Sequence, residues 1–393
     1  MSHNFSFFRV GGFNQVRLAT GADLQHLDQL DQKLWVALAC PVQGLEFDAR
    51  TLTLIDSDGD GRIRAGELIA AVQWACRLLK DANELVRAPS ELALTAIDDV
   101  SDDGKQLVHA IKTVLVGLGK PGAPAISVEE TAAALQAFQA MPFNGDGVIS
   151  VDAAASAADQ QTILDAIACV GSVADSSGKD GIDAAKLAEF AQALNDYLMW
   201  ADQAQADRDL QPLQGDTAAA VAALNDVKTK IDDYFVRCQL AAFDARAIAA
   251  LNREEKEYYA LAAKDLVITS DEIRVLPLAQ IAANAPLPLA NGLNPAWRAA
   301  MEAFAATVVK PLLGQIGTLT ETQWQQIKTT LGRFENWQAG KSGIAVEKLG
   351  LDRVRELVTQ NVAQRLQPLF DQESAQANTA AAIASVERLA RYV

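Results

Sequence analysis

Apolar residues recur at helical spacing through most of this chain. Leu24, Leu27, Leu30 and Leu34 follow a Thr20/Asp23 capping box and stop before Pro41. Leu68, Val72, Ala75 and Leu79 form a second stripe, and Val221, Leu224, Val227, Ile231, Phe235 and Cys238 a third. Trp324, Ile327, Leu331 and Phe334 form a fourth. Residues three and four apart share one face of a helix, so each stripe predicts a helix with one buried side. The segment from Phe5 to Leu18 differs. Its apolar and polar residues alternate around Gly11-Gly12, which predicts a short β-hairpin. Two stretches interrupt the helical texture: the polar, aperiodic run from Ala201 to Gly215, and the span from Leu276 to Pro295, with Pro277, Pro286, Pro288 and Pro295. The pattern predicts an all-α fold with a multi-helix N-terminal region over residues 1–200, opened by the hairpin, and a helical C-terminal domain over 201–393. A chain of 393 residues exceeds one ordinary core and agrees with such a division.

One segment carries a specific chemistry. Asp56-Ser57-Asp58-Gly59-Asp60-Gly61-Arg62-Ile63-Arg64-Ala65-Gly66-Glu67 places acids at positions one, three, five and twelve of a twelve-residue loop. Calcium is a hard cation that takes six to eight oxygen ligands, and alternating Asp56, Asp58 and Asp60 can point inward around one centre. Gly61 allows the sharp turn that follows, because a side chain opposes positive φ. The carbonyl of Arg62 then offers a ligand whatever its side chain, Glu67 can close the site with both carboxylate oxygens, and Ile63 is expected in the core. Four carboxylates converging without a cation would repel strongly. Leu52 and Ile55 supply apolar positions on an entering helix, and the Leu68–Leu79 stripe supplies the exiting one.

Over about residues 45–80 the chain resembles the EF-hand calcium-binding superfamily. The resemblance implies an EF-hand-like N-terminal half and Asp56, Asp58, Asp60, Arg62 and Glu67 as ligands to Ca2+. Magnesium, which keeps its waters and demands octahedral geometry, suits such a site less well. Arg64 departs from the pattern: it stands at the ninth position, where a side chain often ligates directly or through water. It cannot accept, so a water and a lowered affinity are expected there. Two further segments within 119–190 are degenerate. Asn144 to Asp152 aligns Asn144, Asp146, Gly147 and Ile149 with the third, fifth, sixth and eighth positions, but Pro142 and Ala153 stand where the first and last acids belong. It reads as a structural turn or a weak metal site. Asp175 to Asp183 carries Lys179 at the fifth position and reads as a relic that could pair with the preceding loop. The apolar-residue-plus-cap pattern of these loops recurs at Ile126-Ser127, Ile149-Ser150, Ile268-Thr269 and Leu319-Thr320, which fits degenerate EF-hands or ordinary capped helices.

Composition narrows the partners. With 34 basic and 50 acidic residues the net charge is −16, which repels nucleic acid and anionic membranes and attracts cations. No apolar run is long enough to span a membrane, and the first residues lack a secretory pattern, so a cytoplasmic protein is expected. Cys40, Cys76, Cys169 and Cys238 are scattered and expected to be reduced and mostly buried. The three histidines form no zinc motif, and Gly340-Lys341-Ser342 lacks the upstream glycine of a phosphate loop and reads as a helix end. No catalytic residues are nominated. The expected function is calcium binding of a structural or modulatory kind. Only four methionines exist, none in the helix after Glu67, which argues against a calmodulin-like switch. An enzyme stabilised by calcium and a scaffold or oligomer subunit are the alternatives. A protein partner or self-association stays open for the C-terminal helices. The final stripe Ile383, Val386, Leu389 and Val393 has no cap, so it either docks on another element or belongs to a longer chain.

Overall fold

The opening alternation forms the hairpin it predicts: Ser6–Val10 pairs antiparallel with Phe13–Arg17, and Gly11 and Gly12 make the turn at positive φ. The computed structural model describes residues 3–35, 37–253, 255–262, 267–268 and 271–393. The fold is predominantly helical, with short strands between the helices.

The first leucine stripe is not one helix. Thr20 and Asp23 form the capping box, but the helix runs only Gly21–Gln25 and gives way to 3-10 turns at Leu27–Gln29 and Gln32–Leu34. The His26 ring reaches back to the carbonyl of Ala22, and Asp31 accepts from the Lys33 amide. Such local side-chain bonds compete with helix continuation. Leu27 and Leu30 are buried all the same, whereas Leu34 is exposed. The other stripes become Ala65–Leu78, Thr217–Phe243 and Glu321–Ala339, with their apolar faces inward.

Two compact units result: residues 1–191 together with 360–393, and residues 192–359. These limits differ from the expected 200/201 boundary twice over. The expected break after Ala201 is spanned by a helix, Ala184–Ala206, and the last helix, Val362–Tyr392, belongs with the first unit. Its uncapped stripe is therefore docked. Ile383, Val386 and Leu389 join Leu92, Ile97, Leu107, Ile111, Leu115 and Ile126 in one buried cluster. The second unit centres on Leu224, Val227, Ile231 and Phe235 against Phe304, Trp324, Ile327 and Leu331. There Trp200 and Trp337 stack at 4.5 Å, each indole N–H donating to the other's backbone carbonyl at 2.8 and 3.0 Å. The late aromatics are thus core. Gly340 follows the end of the Glu321–Ala339 helix, as its sequence suggests.

Four short antiparallel ladders share one arrangement. Cys40 faces Ile63, Leu92 faces Ile126, Ile149 faces Ile182, and Leu287 faces Leu319. Apart from the half-buried Cys40, every one of these residues is buried. Ser127 and Thr320 then cap helices through boxes with Glu130 and Gln323. The pairing of the Asn144 and Asp175 loops is among these ladders. The recurrence at Ile268 to Glu272 includes Thr269 and Ser270, which lie outside the described residues. The four cysteines form no disulfide; Cys238 is buried and the others are half-buried, so burial is less complete than expected. Among the described residues no helix is long and apolar enough to cross a membrane.

Candidate metal centre

The segment 56–67 is a helix–loop–strand–helix. Asp48 caps the entering helix Ala49–Ile55 by accepting from the Thr51 amide, and Asp56 ends it. Gly59 and Gly61 turn the chain at φ +70° and +81°. Arg62–Arg64 then pairs with Ala39–Pro41 before the exiting helix Ala65–Leu78 begins. The Val42 amide donates to the Gly61 carbonyl and the Ala65 amide to the Leu38 carbonyl. Hydrogen-bonded pairs alternate along an antiparallel ladder, so Cys40 and Ile63 form the bonded pair between these two. The N–H and C=O of Arg62 therefore face away from the partner strand. Its amide indeed donates to Asp60 Oδ1 at 2.9 Å. Ile63 is buried, packing with Val42 and Leu52, as expected.

Asp56, Asp58 and Asp60 each direct a carboxylate oxygen into a group no more than 4.8 Å across. The loop's own amides hold them there: Gly59 and Gly61 donate to Asp56 at 3.0 and 2.9 Å, and Asp60 donates to Asp58 at 3.1 Å. Glu67 lies outside that group. Its Oε1 accepts from the Ser57 amide at 2.8 Å and its Oε2 from the Arg64 amide at 2.9 Å. The Arg64 amide, with those of Ser57 and Asp58 and the Ser57 hydroxyl, holds the Glu67 carboxyl below its ordinary range despite some desolvation. Arg64 reaches over the acids: its guanidinium donates to Asp58 Oδ2 at 3.2 Å and also to Asp60 Oδ2. An oxygen-only, acid-rich donor set in a Gly-turned loop fits a hard divalent cation.

The Asn144 loop is built otherwise. Glu373, only 1% exposed, enters it from the Val362–Tyr392 helix and accepts from the amides of Asn144 and Gly147, both at 3.0 Å. Asn144 Nδ2 donates to Asp175 Oδ1 at 2.9 Å, and the Ser176 amide donates to Asp146 Oδ2 at 2.6 Å, which ties this loop to the Asp175 loop. Gly145, at φ +80°, lies so close to the helix that a Cβ there would sit 2.8 Å from the backbone of Gln376. Asn144 and Asp146 are thus engaged by protein groups. Lys179 pairs with Asp152 at 2.6 Å, so the cation at the fifth position answers an acid of the neighbouring loop.

Sequence reading missed a clamp on the first loop. Glu387 accepts from Arg50 on the entering helix at 3.0 Å and from Arg391 at 2.9 Å. Arg391 also pairs with Asp48 at 2.8 Å, and the Tyr392 hydroxyl donates to the Leu54 carbonyl at 2.8 Å. Tyr392 meets Trp74 of the exiting helix edge-on at 5.9 Å, and Arg388 lies 4.7 Å from that indole's centre. The last turns of the chain therefore grip both flanking helices. Burial opposes ionisation of Glu387, but the Arg50 and Arg391 bonds outweigh it and hold its carboxyl below the ordinary range. Two signals were present: Glu373 lies three residues after Phe370 and seven after Leu366, an acid on an apolar face, and Glu387 lies four residues after Ile383 on another.

No protein-family model matches the chain, and neither a curated protein nor a solved structure does.

Proposed function

We propose that this chain is a calcium-binding protein of the EF-hand type, its ion held by the 56–67 loop through Asp56, Asp58, Asp60, the Arg62 carbonyl and Glu67. The observation that carries the reading is the convergence of the three aspartates within 4.8 Å in a loop turned by Gly61. The outward-facing Arg62 carbonyl supports it, since an EF-hand loop takes its seventh-position ligand from the backbone. The ladders at Leu92/Ile126, Ile149/Ile182 and Leu287/Leu319 are read as further, degenerate pairs of the same kind as Cys40/Ile63. Glu67 closes the site in this reading by exchanging its amide partners for the ion.

The role is structural or modulatory. Ala71, Ala75 and Leu78 bury one face of the exiting helix, and Trp74 is held by Tyr392 and Arg388, so a calmodulin-like opening would break a packed core. Calcium added to metal-stripped protein is expected to raise its melting temperature, by the equivalent of about 2.7 kcal/mol at a hundredfold excess over Kd. The Asp56→Ala/Glu67→Ala double variant is expected to show no rise. A wild-type protein indifferent to calcium, or a double variant that responds equally, would refute the reading.

A further inference from the structure

We infer that Arg64 is a tethered cation that competes with calcium for Asp58 and Asp60, so that this one side chain sets the affinity of the 56–67 loop. The inference rests on the calcium reading above and concerns the regulation of that same site.

Each of the two aspartates divides its oxygens. Asp58 Oδ1 and Asp60 Oδ1 accept from loop amides, whereas Asp58 Oδ2 and Asp60 Oδ2 both face the Arg64 guanidinium. The oxygens that the loop leaves to a cation are the ones Arg64 takes. Its backbone is fixed, because the Cys40/Ile63 pair on one side and the Ala65 amide, which donates to the Leu38 carbonyl, on the other hold the strand at both flanks. Its side chain can, being 50% exposed. Sister loops use the same device with lysines: Lys120 pairs with Glu130, and Lys179 with Asp152. The 56–67 loop carries four carboxylates against two guanidiniums, and among the described residues only that of Arg64 is paired with them. A divalent ion can therefore displace it and release the guanidinium to water. Arginine does not deprotonate in the working pH range, so the competition persists at every pH where the acids are ionised.

The test is calcium titration of metal-stripped, full-length variants, with circular dichroism to check folding. Arg64→Gln is expected to bind roughly three- to tenfold more tightly than wild type, the effect of removing exposed ion pairs. Arg64→Lys should fall between, because one ammonium cannot span both acids as a planar fork does. Arg62→Gln removes the same charge from an exposed neighbour that makes no side-chain ion pair among the described residues, and should gain less. Calcium binding in wild type with no greater gain in Arg64→Gln than in Arg62→Gln overturns this inference alone. No binding in wild type or any variant overturns the calcium reading and this inference with it.

Discussion

Two loops of similar sequence, 56–67 and 144–152, solve the same electrostatic problem in opposite ways. The first gathers its acids from within twelve residues, leaves them accessible, with the Asp58 side chain 57% exposed, and answers them with a movable guanidinium. The second has Pro142 and Ala153 where the first has its terminal acids, and its amides turn to a carboxylate delivered 229 residues later in the chain. A loop whose acids are held by its own amides leaves them open to solvent, whereas one whose amides hold a buried helix side chain is anchored to that helix.

The sharpest way to break this contrast is to remove the side chain that fills the second loop. Glu373→Ala leaves the buried amide of Asn144 and the part-buried amide of Gly147 without this partner and should cost about 2–3 kcal/mol of stability in urea unfolding. Asp58→Ala, in the exposed first loop, should change the stability of metal-stripped protein by no more than about 0.5 kcal/mol. Equal costs would show that the two loops are not built differently.

A smaller effect should appear in the pH dependence of the clamp on the first loop. The Glu387 carboxyl is depressed in the folded protein relative to its ordinary value of 4.5, so its contribution is complete above that value and is lost as pH falls through the folded one. Urea midpoints compared at pH 6 and pH 3.5 should therefore fall less steeply for Glu387→Gln than for wild type. Parallel slopes would mean that the Arg50–Glu387–Arg391 cluster adds no acid sensitivity.

How far each loop was legible follows from where its partners lie. The 56–67 loop could be read because its acids, glycine turn and buried Ile63 all lie within twelve consecutive residues. The contribution of Glu373 could not, since no spacing rule links residue 373 to residue 144. The helix stripes at 65–78, 217–243 and 321–339 were legible from periodicity alone. The stripe at 24–34 misled because Leu27 and Leu30 reach the core from 3-10 turns as well as they would from a helix. The unit limits were hidden for the same reason as Glu373. The return of residues 360–393 to the first unit depends on long-range packing of Ile383, Val386 and Leu389, and periodicity marks such a face as buried without saying against what.

The measurement that bears most directly on the calcium reading is isothermal titration of the metal-stripped chain with calcium, repeated with magnesium. The predicted result is one calcium per chain at micromolar affinity or tighter, weaker uptake of magnesium, and no binding in Asp56→Ala/Glu67→Ala. No calcium uptake by wild type would contradict the account, and a second site that survives in the double variant would contradict the separation of the two loops.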